Sequence, residues 1–166
     1  MQTRRAFFST LAGLAASILA VPGRAQSPAT PLVVYDDGLK NGWQNWSWAK
    51  VELAVPAGGA KPIKVEGEAW SALALHHDAF STQGLSKLTF AINGGAVGGQ
   101  ALLVKAMVDG KPVESDFQIV PKAKTWATVE VPLKQLGVEG KMIDGFCLQG
   151  QASAYGTYYV TRIQFE

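Results

Sequence analysis

Trp46 and Trp48 are the residues whose type and spacing best suit a binding surface. They lie two apart in Gly42-Trp43-Gln44-Asn45-Trp46-Ser47-Trp48, a segment that holds three of the chain's five tryptophans. In an extended strand, residues two apart share a face, so the two indoles project the same way. Continuing the strand over 46–55 puts Lys50 and Glu52 on the tryptophan face. Ala49, Val51 and Leu53 then form the opposite, aliphatic face, the natural core side. Flat rings on a wet, charged sheet face suit stacking on sugar rings or other flat apolar surfaces. The competing reading is that loops or a crossing segment cover each ring as core. Trp43 reads as packed at the loop entrance.

The other reactive side chains are sparse. His76-His77-Asp78 is the only histidine-bearing cluster. Neighbouring strand residues face opposite ways, so His76 and His77 do not share a metal. His76 is on the side of Ala72 and Ala74, which leave open space above the sheet for a ligand-directed hydrogen bond; a satisfied surface histidine is the alternative. Neither a His-Glu-x-x-His zinc motif nor a Gly-x-Ser-x-Gly elbow occurs. A glycosidase needs two carboxylates placed across the scissile bond, and Asp36, Asp37, Glu66, Glu68 and Glu114 stand in no recognisable motif. Cys147 is the sole cysteine. It excludes an intrachain disulfide and reads as a small core residue.

The elements that must position these residues are strands. From residue 32 onward, short runs rich in Val, Ile, Thr and aromatics are divided by Gly, Pro, Asp and Asn, the pattern of an all-β chain. The runs are 32–35, 46–55, 63–66, 71–77, 87–93, 101–108, 115–120, 125–131, 143–149 and 158–165. Asp109-Gly110 is a two-residue hairpin signal, Gly94-Gly95 and Gly98-Gly99 bracket another turn, and 132–137 reads as one helical turn ended by glycine. Many short strands imply a sandwich rather than a parallel α/β sheet. Alternation predicts core faces of Leu88, Phe90 and Ile92; Leu102, Val104, Ala106 and Val108; Val129 and Val131; Phe146 and Leu148; and Tyr159, Ile163 and Phe165. The opposite positions, among them Ala91, Lys105, Met107, Gly145, Cys147, Gln149, Tyr158 and Arg162, mix small and hydrogen-bonding residues that suit the floor of a shallow groove.

Residues 1–25 read as an address rather than as part of the fold. An apolar run over 7–21 is shorter than the roughly 20 residues a membrane span requires, and Gly23-Arg24-Ala25 suits signal-peptidase cleavage. Thr3-Arg4-Arg5-Ala6-Phe7-Phe8 resembles a twin-arginine export signal, with general secretion as the alternative. The expected organisation is a signal peptide over 1–25, a short linker over 26–31 and one domain over 32–166. The formal charge of +2 belongs to the leader: Arg4, Arg5 and Arg24 are three of the fifteen basic residues. Without them, the thirteen acidic residues slightly outnumber the bases, and the remaining lysines are scattered. That argues against nucleic acid, which calls for clustered Lys and Arg. No membrane span is expected after the leader.

Three segments resemble a bacterial carbohydrate-binding module of the β-sandwich, galactose-binding-like type. They are Val34-Tyr35-Asp36-Asp37-Gly38-Leu39 running into the tryptophan segment; Trp126-Ala127-Thr128-Val129-Glu130-Val131-Pro132-Leu133; and Ile143-Asp144-Gly145-Phe146-Cys147-Leu148-Gln149-Gly150 with Tyr158-Tyr159-Val160-Thr161-Arg162-Ile163. The resemblance implies an antiparallel jelly-roll sandwich and a non-catalytic, exported, periplasmic or secreted domain that binds a polysaccharide or other glycan. In that reading Trp46 and Trp48 form the platform, Tyr155 and Tyr158 extend it, and His76, Gln149 and Arg162 hydrogen-bond sugar hydroxyls. The rival readings are a periplasmic module that docks a protein, and an enzyme with an unrecognised site. In such families an acidic pair in the last strand helps hold a structural calcium. Here Thr161-Arg162 stands in its place, so no cofactor is expected, with calcium as the alternative.

Overall fold

The computed structural model describes residues 30–166; the expected leader and most of the linker lie outside them. Among the described residues there are twelve strands: β1 (Leu32–Tyr35), β2 (Gln44–Asn45), β3 (Lys50–Glu52), β4 (Ile63–Gly67), β5 (Ala72–Ser81), β6 (Lys87–Asn93), β7 (Leu102–Val108), β8 (Lys111–Pro112), β9 (Gln118–Ile119), β10 (Trp126–Pro132), β11 (Met142–Gly150) and β12 (Tyr155–Phe165). They form two antiparallel sheets. The first runs β10-β6-β12-β4-β3, with β1 beside β12; the second runs β2-β5-β11-β7-β8, with β9 beside β7. The chain passes repeatedly between the sheets, giving the expected antiparallel sandwich. Residues 132–137 make hydrogen-bonded turns, not a helix.

The core lies between the sheets and follows the alternation, except that Val108, expected on the core face of β7, is exposed at 36% where the strand enters its hairpin turn. Leu88, Phe90 and Ile92 meet Leu102, Val104, Phe146 and Leu148, each essentially inaccessible to solvent. Trp43 belongs to this core at 4% exposure. Its ring stacks near-parallel on Phe165 at 6.0 Å and packs edge-on to Phe80 at 5.7 Å and Phe146 at 6.1 Å. Asp109-Gly110 closes the β7–β8 hairpin with positive φ at both residues (52° and 70°), as a type I′ turn requires.

Two departures from simple alternation matter for the site. The expected strand over 46–55 is instead a crossing: β2 belongs to the second sheet and β3 to the first. Lys50 and Glu52 therefore do not share the tryptophan face. They pair across the first sheet with Glu66 and Lys64. The second departure is in β12, whose register against β6 shifts between Thr161 and Gln164 and whose Arg162 has φ 52°. One extra residue in a strand reverses which side chains face in. Ile163 and Phe165 face the core as expected, but Val160 and Tyr158 join them in place of Tyr159.

A second bulge, in β11 between Ile143 and Gly145, interrupts its pairing with β5. A Cβ on Gly145 would run into the Leu75 carbonyl oxygen, a backbone atom that cannot swing aside. Gly145→Ala is therefore expected to destabilise the domain by about 1–3 kcal/mol through overpacking, read as a lower urea midpoint at an unchanged m-value.

Candidate functional site

The outer face of the second sheet is built in rows. β2 pairs with β5 through Gln44↔His76 and Asn45↔Leu75. The chain then keeps step along the β5 edge, with Trp46 N–H donating to Ala74 O (3.0 Å) and Trp48 N–H to Ala72 O (3.1 Å). Each large indole thus stands opposite an alanine. The rows continue across the sheet: Ala74 is beside Cys147 and then Lys105, while Ala72 is beside Gln149 and then Leu103. Ser47 Oγ accepts from Ala74 N–H at 3.0 Å and fastens the segment between the two indoles. Ala72, Ala74, Met107 and Cys147 form a small apolar cluster separate from the main core. Cys147 was expected to be a small core residue; it belongs to this satellite cluster. Burial pushes its thiol up to about 12, which makes it inert as a nucleophile.

Trp46 and Trp48 each keep 46% of their surface exposed, so neither is a core ring. Their polar edges are tied to the protein. Trp46 Nε1–H donates to Gln44 Oε1 at 3.0 Å, and Trp48 Nε1–H donates to Trp70 O at 2.9 Å. With the N–H groups engaged, the rings present apolar surface in a fixed orientation. His76 lies face to face with Trp46, centroids 3.5 Å apart and planes 4° apart. It braces the platform from behind, a contact of the order of 0.5–1.5 kcal/mol. His77 points elsewhere, between Asn41 O (2.8 Å) and the Trp43 ring, as adjacent strand residues must.

Trp70 is a third exposed indole, at 55%, and the sequence reading had passed it over. Its φ of 64° is unusual for a bulky residue. Three hydrogen bonds hold it: its N–H donates to Gln151 O, and its carbonyl accepts from Trp48 Nε1–H and, at 3.1 Å, from the Gln149 side-chain amide. Gln149 therefore anchors a tryptophan. Trp48 and Trp70 border a cleft of about 840 Å³ that also takes in Lys50, Glu66 and Tyr155. Tyr155 is half-buried, its hydroxyl 3.0 Å from Ser71 Oγ, so it walls this cleft rather than extending a flat platform.

Two expected site residues are not with the tryptophans. Tyr158 is wholly buried in the core because of the bulge in β12. Arg162 is exposed at that bulge on the first sheet, on the opposite side of the sandwich. Two further polar groups belong to the tryptophan side: Lys105, expected on this outer face, and Asp144, which alternation did not mark. Lys105 is nearly buried, with Nζ 3.2 Å from Glu114 Oε2. Asp144, at the β11 bulge, accepts from Gly110 N–H at 2.6 Å and lies 3.8 Å from His76 Nε2. As for calcium, the described residues hold no group of three or more His, Cys, Asp or Glu able to bind a metal. Asp37 Oδ1 is already engaged by Lys61 N–H at 2.7 Å.

The fold has known relatives. Solved structures of family 29 carbohydrate-binding modules superpose with a TM-score of 0.63 at 16% identity, over 83% of this chain and 92% of theirs. The chain has the fold of these modules. Variants of them described as complexed with cellulohexaose and with mannohexaose both match at a TM-score of 0.60, at 16% and 15% identity, over 81% of this chain and 89% of theirs. A curated endoglucanase of Dictyostelium discoideum is 28% identical over 150 residues. That match takes in 82% of this chain but only 21% of the endoglucanase, so the chain spans about a fifth of that relative. No family model matches the chain.

Trp48→Phe keeps a ring but removes the bond to the Trp70 carbonyl, at an expected cost of about 0.5–1.5 kcal/mol in urea unfolding. Trp43→Ala, in the core, is expected to cost about 3–5 kcal/mol. Equal losses would show that Trp48 is a packing residue.

Proposed function

We propose that this domain is a non-catalytic carbohydrate-binding module that holds a polysaccharide chain against Trp46, Trp48 and Trp70. The observation that carries this reading is the presentation of the rings: three half-exposed indoles, two of them with the N–H hydrogen-bonded within the protein and one stacked on a parallel imidazole. Such rings are rigid before the ligand arrives, so little ordering cost is incurred on binding. The Gln149 amide beside Trp70 supplies a directing polar group of the kind an otherwise apolar site uses, while Lys105 and Asp144 are buried and engaged by Glu114 and Gly110. The family 29 modules solved with cellulohexaose and mannohexaose support a ligand of linked hexoses, and the partial match to an endoglucanase fits a binding unit within a larger glycan-active protein.

The same surface argues against hydrolysis. A glycosidase needs a carboxylic acid that is protonated near neutral pH, beside a second carboxylate. Glu66 and Glu68 are the two carboxylates that line the cleft, and Glu66 is the one held by lysines. Hydrogen bonds from Lys64 and Lys50 hold it down at about 2, so it is ionised and unable to donate a proton. Titration calorimetry with cellohexaose and mannohexaose is expected to give micromolar to millimolar affinity, about 4–8 kcal/mol, with no release of shorter sugars. Trp46→Ala and Trp48→Ala are each expected to weaken binding about tenfold or more, at an unchanged fold. The absence of binding to any β-linked polysaccharide in a broad panel would sink the proposal.

We further propose that residues 1–25 direct export by the twin-arginine route. No helix among the described residues is long and apolar enough to cross a membrane. Arg4→Lys with Arg5→Lys is expected to retain the protein inside a bacterial host. Continued export of that variant would assign the leader to general secretion.

A further inference from the structure

We infer that the outer face of the first sheet, on the far side of the sandwich from the tryptophan platform, carries a second ligand site, selective for a sugar ring bearing a carboxylate. The face is laid out by register. One row is Trp126, Asn93 and Tyr159; the next is Thr128, Ala91 and Thr161. Rows on one face are roughly 7 Å apart, so the exposed Trp126 indole overhangs the space that Ala91 leaves open. Trp126 is 45% exposed. A hollow of about 310 Å³ lies there, lined by Trp126, Ala91, Thr128, Thr161 and Arg162, at the lower end of the usual size for small-ligand sites.

Three independent features point to what fills it. Arg162 is its only charged lining residue and makes no ion pair or side-chain hydrogen bond among the described residues. A guanidinium offers five donors in a planar fork that matches a carboxylate at two points. The β12 bulge holds Arg162 at φ 52°; bulges recur where a strand re-aims a functional side chain, and such strained residues cluster at ligand sites. Thr161, 4% exposed, lines the hollow with a hydroxyl that has no hydrogen-bond partner. A flat ring for Trp126, hydroxyls for the threonines and an anionic group for Arg162 together describe a uronic acid.

On the other side of Arg162 a neighbouring hollow of about 440 Å³ holds Asp36, Glu130 and Glu166. Lys87 lies 2.9 Å from Glu130 and 3.4 Å from Glu166, which leaves Asp36 as the one acid there without an ion pair. That side repels a second carboxylate, so the inference is one uronate ring on the Trp126 side rather than an extended polyanion.

The test is NMR titration of the purified protein with trigalacturonate and with its neutral methyl ester, following the assigned indole Nε1–H signals. The acid is expected to shift the Trp126 signal with millimolar affinity, at least about tenfold tighter than the ester. Arg162→Gly is expected to remove that preference while keeping or raising the melting temperature, because glycine suits φ 52°; Arg162→Gln serves as a second variant. Cellohexaose is expected to shift Trp46 and Trp48 in both variants as in the parent protein. The inference is overturned by an unmoved Trp126 signal at about 20 mM acid, by an equal response to the ester, or by variants that bind the acid as the parent does. A failure of cellohexaose to move Trp46 and Trp48 overturns only the platform reading.

Discussion

The carbonyl groups of Ala72 and Ala74 hold the tryptophan side of this molecule together. An exposed strand edge must pair its backbone groups, and β5 does so with a segment that is about to leave the sheet. Trp46 and Trp48 are bonded there in strict step, two residues apart, opposite two alanines. Ala72 O then receives a second N–H, from Ala49 at 3.0 Å, and the chain crosses to the first sheet. The pairing is long enough to fix which way the rings point and short enough to leave them at the rim. A larger residue at 72 or 74 would compete with the indoles for the same space.

The second anchor is the Trp70 carbonyl, which receives both the Trp48 indole N–H and the Gln149 amide. It couples the loop before β5 to β11 and to the crossing segment. Polar groups here fix the posture of aromatic ones. This coupling also accounts for a bulky residue persisting at φ 64°, since strain of that kind survives only where surrounding contacts over-determine it.

The expectation of a sandwich, the hairpin at Asp109-Gly110, the core faces of β6, β7 and β11, the burial of Trp43 and the opposed histidines were all legible in the chain. Each rests on local information: side-chain period, turn chemistry, or the size of a ring. The shared direction of Trp46 and Trp48 was legible for the same reason. The assignment of Lys50 and Glu52 to their face was not, because alternation carries no mark of the residue at which a chain changes sheets. Tyr158 and Arg162 were misplaced by a single bulge. Trp70 was passed over because its neighbours Glu68-Ala69 and Ser71 show no period at all, and its conformation is imposed by bonds from residues 22 and 79 positions away.

By itself, the sequence determined a strand-built domain, its principal hydrophobic faces and a pair of tryptophans aimed together, because these follow from interactions between near neighbours in the chain. Tertiary structure alone decided that the rings stay half open to solvent, that His76 braces a ring instead of reaching outward, and that Arg162 stands on the opposite face. Those outcomes depend on which strands pair, where a bulge slips the register and which distant carbonyl takes an indole N–H. Such long-range hydrogen bonds leave no periodic trace in the order of residues.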